Sequence, residues 1–142
     1  MADLLDLVQE LWTGPVDADP AAAAAAFGRA YTDPVLVNGS PMSLVALAGR
    51  ARALHRAFDG LSMQILDRVD TADRLVIAFL MRGRQVGDYS SPLGTVPPTG
   101  RDIEVRTIDV LTLRNGLIAA VWVVADELGM LTQLGAVRLS PG

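Results

Sequence analysis

From Ile103 to Asp126 the chain reads IEVRTIDVLTLRNGLIAAVWVVAD, two apolar, β-branched runs that meet at Asn115-Gly116. The tightest hairpin turn needs a positive φ at both central residues, and asparagine and glycine tolerate it. The dipeptide therefore predicts a two-residue turn between strands Ile103–Leu113 and Leu117–Val124. With Arg114 opposite Leu117, an unbroken ladder sets Leu113 against Ile118, Leu111 against Ala120 and Asp109 against Trp122. It then sets Thr107 against Val124 and Val105 against Asp126. Side chains alternate between faces along a strand, so these residues share one face. That face is apolar except for Thr107, Asp109, Asp126 and the Trp122 indole N–H. The other face, with Ile108, Val110, Ala119, Val121 and Val123 beside Glu104, Arg106 and Thr112, is also largely apolar. A hairpin greasy on both sides needs helices or a cavity over one and a second subunit over the other.

Two acids on such a face require an explanation. A carboxyl withdrawn from water either raises its pKa or finds hydrogen-bond donors. One tuned upward in an apolar hollow can pass protons near neutral pH. Asp126 and Asp109 are accordingly the candidate catalytic residues. The alternatives are that Asp109 is a hydrogen-bonded core acid and that Asp126 caps the turn into Glu127-Leu128-Gly129. Trp122 offers a flat surface to an aromatic ligand, or packs as a core indole. Asn38 and Tyr89 fall in turns near the expected pocket mouth, where each also reads as a structural turn residue.

Upstream, Leu4, Leu5, Leu7, Val8, Leu11 and Trp12 follow a helical stripe that Gly14-Pro15 stops. Asp19-Pro20 opens a second helix that runs through the alanines to about Tyr31. After Thr32-Asp33-Pro34, residues Val35–Val37 read as a short strand. The turn residues Asn38-Gly39-Ser40-Pro41 then start a third helix, with Leu44, Leu47, Ala48, Ala51, Leu54 and Phe58 buried. Strands Leu61–Val69 and Arg74–Arg84 flank a turn at residues 70–73. Residues 87–100 read as a loop, and Leu128–Leu134 as a short helical turn. Helices first and antiparallel strands afterwards indicate an α+β fold in one domain over residues 1–142.

Composition removes several classes of function. There is no cysteine, so thiol catalysis, thiolate metal sites and disulfides are excluded. The only histidine, His55, lies beside Arg52 and Arg56 on a helix, which points to the surface; one histidine builds neither a zinc site nor a supported Ser-His-Asp triad. No glycine pattern fits a phosphate-binding loop. With a net charge of −4 and no basic stripe, nucleic acid is not an expected partner. The first residues lack a basic leader and no apolar run reaches membrane-spanning length, so a cytoplasmic protein without a membrane partner is expected. The 51 % hydrophobic content exceeds the needs of a small interior and points to a ligand cavity, a subunit interface or both.

Pro97-Pro98-Thr99-Gly100-Arg101, Ile108-Asp109-Val110, Arg114-Asn115-Gly116-Leu117-Ile118, Trp122 and Asp126-Glu127-Leu128-Gly129-Met130-Leu131-Thr132-Gln133-Leu134-Gly135 together resemble the SnoaL-like polyketide cyclases. Val37-Asn38-Gly39 and Ala57-Phe58-Asp59 are similar to the same family. The resemblance implies the cone-shaped nuclear-transport-factor-2-like fold, three N-terminal helices on a curved antiparallel sheet, as a homodimer or homotetramer. It implies a pocket for a small hydrophobic or aromatic molecule and intramolecular aldol ring closure, or a related isomerisation, without metal or cofactor. By motif position Asp126 would be the proton shuttle and Asn38 the pocket asparagine, with Thr107 or Asp109 where characterised cyclases often carry histidine. Two other readings stay open on this fold. One is a limonene-type epoxide hydrolase with paired aspartates, for which Arg82 or Arg84 would have to reach in. The other is a non-catalytic ligand-binding dimer.

Overall fold

In a computed structural model that describes residues 3–141, the chain is α+β, with four helices against a six-stranded sheet. Helix α1 (Leu4–Thr13) begins where the Asp3 carboxylate accepts from the Leu5 N–H, and it buries Leu5, Val8 and Leu11. Helix α2 (Pro20–Phe27) starts with proline at its first turn, where the missing N–H costs nothing. It ends at Phe27, capped by Gly28 and four residues short of the expected end, and Tyr31 opens a strand instead. Helix α3 (Leu44–Ala57) is capped by Ser43, whose hydroxyl accepts from the Ala46 N–H. It presses Leu44, Leu47, Ala48 and Ala51 inward.

The strands are β1 (Tyr31–Val37), β2 (Ser40–Met42), β3 (Phe58–Asp70), β4 (Arg74–Gln85), β7 (Asp102–Arg114) and β8 (Leu117–Ala125). Their order in the sheet is β2-β1-β8-β7-β4-β3. Every pair is antiparallel except β1 with β8, which is parallel, so the sheet is mixed. Between β4 and β7 a small separate hairpin, β5 (Tyr89–Ser91) and β6 (Gly94–Val96), occupies the segment expected to be loop. Residues 38–41, expected to lead straight into a helix, form the β1–β2 turn at Asn38 and Gly39, both at positive φ, and the first two residues of β2.

The Asn115-Gly116 turn forms as expected, with φ of 51° and 78°, and sets Arg114 opposite Leu117 and Leu113 opposite Ile118. The ladder then slips. Thr112 pairs with Ala120, which leaves Ala119 as an extra residue in β8. A one-residue bulge exchanges the two faces of everything beyond it. Asp109 therefore opposes Val123, and Trp122 opposes Val110 on the other side.

Helix α4 (Glu127–Gln133) closes one end. Strand β8 stops at Ala125, so the backbone of β7 around Glu104 has no strand on that side. The Gln133 side chain replaces it, accepting from the Glu104 N–H at 2.7 Å and donating to its carbonyl at 2.9 Å. One apolar cluster joins α1, α2 and α3 to β1, β4, β7 and β8. A second, around Phe58, Leu61, Ile103, Val105 and Met130, joins α4 to β3 and β7.

Candidate active site

Between the helices and the inward face of the sheet lies a cavity of about 260 Å³. Val8 and Trp12 of α1, Leu47 and Leu54 of α3, and Phe79 and Met81 of β4 form much of its wall. Strand β7 contributes Ile103, Val105, Thr107 and Asp109, and β8 contributes Val121, Val123 and Ala125. The alternation along both strands is what period two requires once the bulge is included. Its polar groups are few: Tyr31, Arg50, Tyr89, Thr107, Asp109, Glu127 and the Trp12 indole.

Asp109 is the acid set into the apolar wall. Its neighbours across the ladder are Ile77 on β4 and Val123 on β8, neither of which has a side-chain donor. The buried Oδ1 has no hydrogen-bond partner among the described residues. Burial pushes the carboxyl up to about 7. A carboxylate without donors in an apolar wall holds its proton far more tightly than in water, and that suits it to exchange protons near neutrality.

Tyr31, first residue of β1, stands in the same cavity and is 4 % exposed. The Trp12 indole N–H donates to its hydroxyl oxygen at 2.9 Å. Phe27 locks the pair, meeting Trp12 edge-on at 5.5 Å between ring centres and stacking with Tyr31 at 6.0 Å. Burial pushes the Tyr31 hydroxyl up, the Trp12 hydrogen bond opposes this, and the nearby Asp109 carboxylate adds to it. Tyr31 was not legible as a site residue, because extending α2 to it hid the strand that turns it inward. The usable signal was Gly28, a common helix terminator.

At the α4 end, the Tyr89 hydroxyl donates to Glu127 Oε1 at 3.0 Å, and its ring packs against Phe58. Burial, then the hydrogen bond and charge of Glu127, push the Tyr89 hydroxyl up. The segment carrying Tyr89 is held from below by Gln85, whose side chain is fully buried. Its amide donates to the carbonyls of Gly87 and Val96 and accepts from the N–H and hydroxyl of Thr99.

The structure thus brings Asp109, Thr107 and Tyr89 together and places Asp126, Asn38 and Trp122 elsewhere. Asp126 was expected opposite Val105 inside the hollow. The ladder ends at Thr107–Ala125, and Asp126 leaves the sheet as the exposed N-cap of α4, its Oδ1 accepting from the Gly129 N–H at 2.9 Å. Asn38 is exposed at the β1–β2 turn and ties β1 to β8, accepting from the Val123 N–H at 2.8 Å through its side chain. Trp122 is 58 % exposed on the outward face. His55, expected at the surface, is half-buried with Nε2 3.0 Å from the Trp12 carbonyl oxygen.

Arg82 binds Glu104 and Gln64, and Arg84 donates to the Gly100 carbonyl, so neither bridges Asp109 to Asp126. Among the described residues, no three His, Asp or Glu side chains cluster in a way that could hold a metal ion. Among the same residues, no helix is long and apolar enough to cross a membrane.

A family model described as SnoaL-like polyketide cyclase matches residues 2–134. Among solved structures, TsrD from Streptomyces laurentii superposes with a TM-score of 0.77 at 24 % identity, over 94 % of this chain and 93 % of that one. IdmH from Streptomyces antibioticus, described as a candidate polyketide cyclase, gives 0.67 at 21 % identity over 94 % and 99 %. A protein of ketosteroid isomerase-like fold from Catenulispora acidiphila, solved with trimethylamine, gives 0.70 at 15 % identity over 99 % of each chain. Among curated proteins, none matches the sequence.

Proposed function

Since the chain belongs to the SnoaL-like polyketide cyclase family, we propose that it closes a ring in, or isomerises, a polyketide-like ketone by acid–base catalysis in its apolar cavity, with Asp109 as the proton shuttle. The ionised Asp109 carboxylate takes the proton from a carbon beside a carbonyl group. The resulting enolate carbon bonds to a second carbonyl carbon of the same molecule, and the alkoxide so formed takes the proton back from Asp109. No net proton is consumed, and no redox partner is required. Acid–base assistance of this kind contributes about 100- to 10,000-fold, and confinement of both carbonyls in one cavity adds to it.

One observation carries this reading: an acid in the cavity wall, without a donor among the described residues, held near neutrality by burial. Asp126 is the weaker candidate, since its carboxylate already serves the α4 N-terminus. A paired-aspartate hydrolase has less support, because the two acids are apart and Arg82 and Arg84 are engaged outside the cavity. The test is exchange of the α-protons of 2-tetralone in deuterated water, followed by NMR. Wild type accelerates the exchange and Asp109→Asn loses it by about 100-fold or more; equal rates for the two proteins end the assignment.

A further inference from the structure

A tyrosine hydroxyl has one proton to give and two lone pairs to fill. In Tyr31 the Trp12 N–H occupies a lone pair, while among the described residues the Tyr31 hydroxyl donates no hydrogen bond. A buried donor without an acceptor is costly, so such a group is informative when it lies in a cavity wall. Asp109 is near enough for its charge to act on Tyr31, yet no hydrogen bond joins them. The cavity thus holds a lone donor and a lone base with space between its walls for a ligand.

We infer that the Trp12–Tyr31 pair is the binding site for a carbonyl oxygen, with the Tyr31 hydroxyl donating to that oxygen as it gains negative charge. Donation from Trp12 polarises the Tyr31 O–H and makes it a stronger donor. The Trp12–Phe27–Tyr31 stack fixes the donor beforehand, so little reorganisation accompanies the reaction. The ligand class follows from the pairing of groups: a ketone whose acidic C–H reaches Asp109 while its oxygen reaches Tyr31. This placement rests on the proton-transfer reading above.

Phenolates mimic an enolate oxygen and need no turnover, so binding tests the donor site independently of catalysis. The probe is 4-nitrophenolate, whose absorption reports its environment, titrated into Asp109→Asn so that the carboxylate facing Tyr31 does not repel it. Adding Tyr31→Phe is expected to weaken binding by about tenfold or more and return the absorption band toward that of the free anion. Trp12→Phe is expected to weaken it by about threefold. Naphthalene, with a similar apolar body and no oxygen, should bind the variants within about twofold of one another, which a merely structural lesion would not preserve. Absence of 4-nitrophenolate binding, or equal affinity with and without the Tyr31 hydroxyl, overturns the inference. Failure of Asp109 as the base is read separately, from 2-tetralone exchange in the single variant.

Discussion

Tyr31 and Asp109 face the same 260 Å³ cavity without hydrogen-bonding to each other. Direct donation from Tyr31 would stabilise the carboxylate and lower its pKa. In its absence burial dominates, and the Asp109 carboxyl is pushed up to about 7. A base must be ionised to act, so kcat/KM for a ketone substrate should rise with pH and level off above about 7. The profile is measured from pH 5 to 9 in wild type. A rate independent of pH across that range would contradict ionisation of Asp109 as the controlling event.

The same carboxyl makes stability depend on pH. Its folded pKa is raised from 3.8 to about 7, so between these values the native state holds more protons than the unfolded chain. Stability from this group therefore falls as pH rises through that window and is level above it. The shift bounds the effect at about 4 kcal/mol, and partial solvation of the cavity lowers the expectation to about 1–3 kcal/mol. Asp109→Asn should match wild type in urea unfolding near pH 4 and exceed it by that amount at pH 8. A constant gap at both pH values would show that the carboxyl does not titrate where burial places it.

Asp126 is expected to give the opposite pattern to a site acid. Its Oδ1 satisfies the Gly129 N–H at the start of α4. Removal of such a cap costs about 1 kcal/mol, and asparagine replaces it at little cost. Asp126→Ala should lower stability by about that much, Asp126→Asn by a few tenths of a kcal/mol, and both should keep turnover within about threefold. A loss of more than about 100-fold in Asp126→Asn, with the protein folded, would move the shuttle back to this residue.

The turn at Asn115-Gly116 was legible because its backbone demands are local, and the helical stripes of α1 and α3 because burial imposes a period on sequence. The slip at Ala119 was not. Beyond the turn, β8 offers Val121 and Val123 to one face and Trp122 and Val124 to the other, both apolar. With no polar side chain to specify which set faces inward, hydrophobic pattern cannot detect a bulge. That ambiguity sent Trp122 and Asp126 into the expected pocket and left Val121, Val123 and Ala125 out. Asp109, Thr107 and Tyr89 line the cavity because β7 pairs with β4 without a register shift and the β5–β6 segment is pinned by Gln85. The parallel pairing of β1 with β8 depends on contacts far apart in sequence, which no local signal encodes.

The slip has a consequence for assembly. It puts Trp122 and Val124 outside, 58 % and 75 % exposed, beside Ile108 at 54 %. Val76 and Val110 continue the row of Trp122 across β4 and β7, and Ala78 and Ile108 that of Val124. Toward the other end of this face the apolar rows give way to the ion pair between Arg82 and Glu104. A continuous apolar patch bordered by charge on one sheet face suits a second copy of the same surface. Wild type is expected to sediment as a homodimer at micromolar concentration, and Val124→Arg as a monomer, since a cation within such a contact would be buried without a partner. Because Val124 packs against little within its own chain, unfolding of the isolated subunit should shift by no more than about 0.5 kcal/mol. A wild-type monomer, or a Val124→Arg dimer of undiminished strength, would show that this face is not where the copies meet.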